Sequence, residues 1–302
     1  MTVWVYVPLL LSILLSAVAR PLARRLSPRT LTPALVTAAG LAAAASTWGL
    51  VLLSATLLHE ASPVTEQAAA RNLAQTEPVP VWVAAPAMAI LAVGAYRLIG
   101  TVGRRRSIHR ALRGLCDASA AEELVVIAAA EPHAVAVPGR PGRHGHVLVT
   151  SGMLAALDDD ERAVLLAHER AHLRGGHHWQ RAVVDAAAAL NPLLRPARDT
   201  VAFLVERYAD EVAAEAVGSR LLTARSLARA ALATTDAERQ ETVAFERLEV
   251  TTRVAALQVA APPHRHLASI GVVLLGVATT LAAADATLAF VALVERLFPG
   301  RL

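Results

Sequence analysis

The sequence predicts an α-helical multi-pass membrane protein with about four spans, three before and one after a cytosolic α+β domain. Three observations predict it. The 302-residue chain is 55% hydrophobic but only 4% aromatic, with a mean hydropathy of +0.46, too apolar for an ordinary soluble enzyme. The excess is uneven, because residues 1–100 and 267–298 hold most of the long apolar runs while residues 101–265 hold most of the charge. The polar part also contains a histidine and acid spacing of the kind that holds a metal ion. This divides the chain into a three-span region (1–100), a cytosolic domain (101–266) and a C-terminal span (267–302). All 29 basic residues are arginine, and the formal net charge of +4 comes from arginine clusters beside the apolar runs, so no nucleic-acid partner is implied. Cys116 is the single cysteine, which excludes an intrachain disulfide and a cysteine-based metal site.

The first apolar run, residues 3–19, is just long enough to cross a bilayer core. Ala17-Val18-Ala19 looks like a signal-peptidase site, but Met1-Thr2 gives no positive leader, and Arg20, Arg24, Arg25 and Arg29 follow the run. It reads as an uncleaved span with the N-terminus outside and residues 20–32 in the cytoplasm. Residues 34–58 return outward to a polar loop, 59–80, with three Glu and only Arg71. Residues 81–98 come back in, and Arg104, Arg105, Arg106, Arg110 and Arg113 follow. Both arginine-rich segments then fall on one side, as two crossings between them require. The last run, 267–298, suffices for one tilted crossing and is interrupted by Asp285.

Within the polar domain, strands are expected at Leu124–Ile127, Ala134–Val137 and His146–Thr150, with a turn cluster at 138–143. Asp158, Asp159, Asp160 and Glu161 supply an N-cap and an acidic first turn for a helix whose apolar period runs over 163–173. Arg174 and then Gly175-Gly176 end that helix. Residues 179–194 are Ala-rich and helical in pattern, with a break at Asn191-Pro192, and Asp199-Thr200 can cap a helix over about 201–217, stopped by Gly218.

On the acid-capped helix, residues 168–172 read HExxH. Four residues make about one turn, so His168 and His172 share a face and can share one metal ion, with Glu169 beside them. Catalytic zinc usually takes three protein ligands and keeps a fourth position for water. The candidate third ligand is Glu206 in Val205-Glu206-Arg207-Tyr208-Ala209-Asp210, and Asp210 lies one turn further on the same face. Such an ion makes water nucleophilic near neutral pH, and Glu169 is placed to take its proton and pass it to a leaving amine. A ligand histidine also needs an acceptor for its other N–H, for which Asp210 is the natural choice.

HExxH at 168–172 followed by ExxAD at 206–210 resembles the gluzincin peptidases of membranes. Three spans before the domain and one after are similar to the BlaR/MecR family of integral-membrane, signal-transducing metallopeptidases. The HtpX-type quality-control proteases and the CAAX prenyl endopeptidases share similar motifs; in the HtpX type two spans precede the motif. Ser151-Gly152-Met153-Leu154 and Glu161-Arg162-Ala163-Val164-Leu165-Leu166 also resemble the lead-in to the metal helix in these groups. The resemblance covers residues 1 to about 298 and is specific over 147–210. It implies a zincin-like domain with one Zn2+ held in the cytoplasm by His168, His172 and Glu206, with Glu169 as catalytic acid/base. It also implies a zinc metalloendopeptidase that signals by cleaving a cytosolic regulator, such as a transcriptional repressor, or itself. The extracellular penicillin-binding domain that follows the last span in that family is lacking in this sequence, so the stimulus is expected to be a partner protein, a lipid or the membrane. The alternatives are an HtpX-like protease of misfolded membrane proteins, and a non-catalytic receptor or scaffold whose zinc is structural.

Other residues carry weaker expectations. The strand at His146–Thr150 could be a sheet edge that pairs with an extended substrate, or simply core. Arg207 and Tyr208 are turned away from the Glu206 face, which argues against an oxyanion role. His177 and His178 follow the glycine pair and could bind a second metal, but are expected as solvated helix-end histidines, and the same expectation holds for His144 and His146, in or after a loop. Asp285 either pairs across the bundle or sits at a helix break. Cys116 is expected to be a packed thiol.

Overall fold

The computed structural model describes residues 6–60, 81–116, 122–140, 142–235, 243–261 and 266–297. Most of the polar loop expected at 59–80 lies outside the described residues, as do the first residues of the run at 3–19 and the last of the run at 267–298.

Four described helices, α1 (Val7–Arg25), α2 (Pro28–Glu60), α3 (Val81–Cys116) and α10 (His266–Leu297), each contain a stretch long and apolar enough to cross a bilayer. Three precede the polar domain and one follows it. Helix α2 is the hub, packed against α1, α3 and α10. Small residues let these helices approach closely, which is how helices associate where lipid tails offer no hydrophobic driving force. At the tightest crossing, a Cβ on Gly276 of α10 would lie 2.7 Å from the Ala38 Cα of α2, so only glycine fits there. Asp285 is exposed on α10 and makes no ion pair or hydrogen bond among the described residues, so the expected partner across the bundle is not found there.

Helix α3 has 36 residues, about 54 Å at 1.5 Å per residue, well beyond the roughly 30 Å of a bilayer core. The boundary read at residue 100 therefore falls inside a continuous helix that carries the arginine cluster out to the polar domain. Its last turn joins the sheet, where buried Cys116 packs with Val125, Val137 and Leu148.

The three strands stand where the alternation placed them, as β1 (Leu124–Ile127), β2 (Ala134–Val137) and β3 (His146–Thr150). Their order is β1-β3-β2, with β3 parallel to β1 and antiparallel to β2. The apolar β3 sits in the centre, with Val147, Leu148 and Val149 all buried. Of the two readings left open for β3, sheet edge or core, the pairing decides for core: both its flanks are paired, and β2 is an edge.

A short helix α4 (Ser151–Ala156) leads to α5 (Asp159–Arg174), the HExxH helix. Asp158 caps α5 in a full capping box with Glu161, typically worth about 1 kcal/mol. Gly176 then turns the chain with φ of 60°, a left-handed conformation that glycine adopts without strain. After it run α6 (His177–Leu190), a 3-10 turn (Pro192–Leu194) and α7 (Arg195–Val217), the helix of Glu206 and Asp210. Helix α7 starts six residues earlier than the Asp199-Thr200 signal suggested. Pro196 occupies its first turn, where a missing N–H costs nothing, and the Thr200 hydroxyl bonds back to the Pro196 carbonyl at 2.7 Å instead of capping.

The α6–α7 hairpin pushes into the bundle of apolar helices. At its tip the buried Asn191 amide donates to Ser12 Oγ of α1 and Ser46 Oγ of α2, both at 3.0 Å. Val184 and Ala187 of α6, Leu194 of the 3-10 turn, and Val201, Leu204 and Val205 of α7 share one buried cluster with Leu15 and Ala19 of α1 and Leu31 and Leu35 of α2. Two further helices, α8 (Arg220–Thr235) and α9 (Val243–Gln258), close the domain.

Candidate metal centre

Helix α5 presents His168 and His172 one turn apart, with their Nε2 atoms 3.1 Å from each other. Helix α7 crosses it and brings Glu206 Oε2 to 3.5 Å from His168 Nε2 and 3.7 Å from His172 Nε2. Ligand atoms at 2.0–2.1 Å around a tetrahedral ion stand about 3.3 Å apart. The three side chains thus offer a donor set of the right chemistry, size and convergence for one zinc-sized cation, and they form the one such cluster found among the described residues.

The electrostatics show what holds the cluster together without an ion. Asp210 Oδ1 lies 3.1 Å from His168 Nδ1, the ring nitrogen facing away from Glu206. Arg253 of α9 grips Asp210 with two hydrogen bonds of 2.8 and 2.7 Å, and a third guanidinium nitrogen lies 3.3 Å from Glu206 Oε2. Burial works against charge throughout, yet the pairings win. Burial disfavours the His168 cation, but hydrogen bonds to Asp210 and Glu206 and the charges of Asp210 and Glu169 raise its pKa to about 10. Burial would likewise raise both carboxyls, but His168 and His172 hold Glu206 well below the usual carboxylate range, and Arg253 does the same for Asp210.

Glu169 is buried beside His168 and faces two cavities. One, of about 310 Å³, lies between the HExxH helix and the edge strand, lined by Ala134, Val135 and Ala136 of β2 together with His168, Glu169, His172 and Glu206. The other, of about 230 Å³, runs towards α8 past Leu227 and Ala230. The centre therefore opens onto a cleft whose wall is a strand that, among the described residues, is paired on one side alone.

All five residues singled out from the sequence, His168, Glu169, His172, Glu206 and Asp210, meet here. Two more were not found by sequence reasoning. Arg253 is 43 residues from Asp210 in the chain, with no local pattern tying it to the motif. His177, expected in solvent, is 2% exposed, and its Nδ1 stands 2.9 Å from His172 Nδ1. Burial and the neighbouring His172 push its pKa down to about 3. The five-residue step from His172 across a double glycine was the available clue, because the turn at Gly175-Gly176 brings the first residue of α6 back beside His172. His178, by contrast, is half-buried at the start of α6, where its carbonyl accepts from Arg105 of α3. Arg207 turns away from the centre and donates to the Ala23 carbonyl of α1 at 3.0 Å, whereas Tyr208 packs against the His177 ring, behind His172.

Residues 103–194 match the model of Peptidase family M48. The matched segment runs from the end of α3 through the sheet, the HExxH helix and α6, and it stops before Glu206 and Asp210. It supports the coarse reading made from the motifs, a membrane-associated metallopeptidase. No curated protein and no solved structure matches the chain.

Proposed function

We propose that the chain is a membrane-embedded zinc-dependent metalloendopeptidase whose site faces the cytoplasm. The observation that carries this reading is the meeting of His168 Nε2, His172 Nε2 and Glu206 Oε2 at separations suited to one ion. Bound there, zinc would supply a Lewis acid that polarises a peptide carbonyl and brings the pKa of a water near neutrality. The rest falls to the chain. Glu169 borders the cleft next to His168 and takes the water proton, then returns it to the departing amine. Strand β2 offers its unpaired edge to an extended substrate, which docks by main-chain hydrogen bonds beside the two histidines. Asp210 holds His168 in the tautomer that leaves Nε2 free to bind, and Arg253 keeps Asp210 ionised and aimed.

Sidedness follows from charge. The arginine ends of the spans lie with the polar domain: Arg29 pairs with Glu215 of α7, and Arg105 with Asp185 of α6 at 3.1 Å. The positive-inside rule then puts the domain in the cytoplasm. The order of three apolar helices before the domain and one after favours a signalling protease of BlaR/MecR type, acting on a cytosolic regulator or on itself, over the HtpX-like arrangement.

The test is a comparison of cells carrying wild type and Glu169→Gln by sequencing of newly formed protein N-termini. The enzyme reading expects cleavage products that vanish in the variant while purified variant protein still carries zinc. A zinc-binding wild type that generates no such products, with Glu169→Gln retaining full biological activity, would instead make the ion structural. Products drawn from many misfolded membrane proteins, rather than one regulator, would favour the quality-control role.

A further inference from the structure

We infer that His177 is the hydrogen-bond acceptor that sets the tautomer and ring orientation of His172, making it a positioning residue of the metal centre; the inference rests on the proposed zinc site. The two ligand histidines are alike in sequence but not in support. His168 has the carboxylate of Asp210 behind it. His172 has no carboxylate at its Nδ1, and the group found there among the described residues is the Nδ1 of His177 at 2.9 Å.

The proton inventory decides which atom donates. An imidazole that offers its Nε2 lone pair to a cation carries its one remaining proton on Nδ1. His172 Nδ1–H must then donate, and His177 Nδ1 must accept, so the single proton of a neutral His177 sits on its Nε2. The surroundings hold the ring in that pose. It stands edge-on between His172, with centroids 4.8 Å apart at 87°, and Tyr208, at 4.8 Å and 90°. Its far edge abuts Gly175, where a Cβ would lie 2.4 Å from His177 Nε2. That Nε2 is buried and has no hydrogen-bond partner among the described residues. A polar atom left unsatisfied inside a protein calls for an explanation. A ring chosen only to fill space would carry no such atom, and phenylalanine would serve. Here the imidazole is kept for the nitrogen on its other side.

The test uses the full chain in detergent and reads metal affinity by competition with a chromophoric chelator, together with the visible absorption of the Co2+-loaded protein. His177→Phe keeps the ring and removes the acceptor; His177→Asn returns an acceptor oxygen near the former Nδ1 position. Zinc affinity should fall about 10- to 100-fold in His177→Phe, with shifted cobalt bands, and stay close to wild type in His177→Asn. If His177→Phe does not fold, His177→Leu against His177→Asn makes the same comparison. Wild-type affinity in the acceptor-free variant, or equal losses in both variants, overturns the inference alone. A wild-type protein whose zinc binding survives His172→Ala overturns the proposed site and this inference with it.

Discussion

The two helices that make the metal centre are anchored in different parts of the molecule. Helix α5, with HExxH, belongs to the polar domain: it is capped by its own Asp158 and packs against β2, α7 and α8. Helix α7, with Glu206 and Asp210, belongs as much to the membrane bundle. Its buried face joins the cluster of α1 and α2, and Arg207, the neighbour of Glu206, is bonded to the last turns of α1. The histidine half of the site is thus carried by a helix of the polar domain, and the carboxylate half by a helix packed on both the domain and the spans. A shift of the bundle against the domain would change the His168–Glu206 and His172–Glu206 separations directly. This gives a physical route by which spans could govern a protease.

The comparison can be broken first at its chemistry. Glu169→Gln should lower cleavage by about 10²- to 10⁴-fold while zinc content, measured by atomic absorption, stays unchanged, because Glu169 is not among the converging donors. Next comes the tie between the halves. Arg253→Met strands the buried Asp210 carboxylate, and unfolding in detergent by denaturant should show a loss of about 3–5 kcal/mol. A loss near zero would mean that Asp210 is solvated, contrary to its burial.

The bundle anchor is tested by Asn191→Leu, which removes the two hydrogen bonds to the spans together with the one Asn191 accepts from Leu193 N–H and should cost about 1–3 kcal/mol. If α7 is held by the spans, zinc affinity should weaken as well, though Asn191 precedes α7 and lies far along the chain from Glu206. Unchanged affinity would show that the domain alone positions the carboxylate. The equivalent change on the α5 side, Asp158→Ala, should cost about 1 kcal/mol and leave zinc affinity untouched.

A further test is in pH. His168 has a folded pKa raised to about 10 from an ordinary 6.5, so its contribution to the metal-free fold is complete below about pH 6.5 and is lost as pH rises towards 10. Zinc must displace that proton, so affinity should climb roughly tenfold per pH unit in that window and level off near pH 10. Calorimetry in buffers of different ionisation enthalpy would register the released proton. No proton release at pH 8 would mean that His168 is already neutral without metal.

Much of the fold was written in local pattern. The three strands, the capping of α5 and the glycine stops each depend on residues within a few positions of one another, where sterics and backbone hydrogen bonding act without help from the rest of the chain. The donors His168 and His172 were legible for the same reason. The start of α7 was misread because Asp199-Thr200 looks like a cap, whereas packing of Leu194 and Ala197 into the spans extends the helix past it. The place of β3 was left open because an all-apolar strand of five residues reads alike at an edge or in the centre, and only its partners decide.

What the sequence by itself determined is the set of donors, the helix that carries two of them, and the apolar runs on either side, since periodicity and composition are properties of neighbours. Tertiary structure alone decided that Glu206 reaches the histidine pair, that Arg253 of a distant helix clamps Asp210, and that His177 turns inward. Each of these is a contact between elements separated along the chain, made by helices crossing in a core they share with the membrane spans, and no local pattern records where such helices cross.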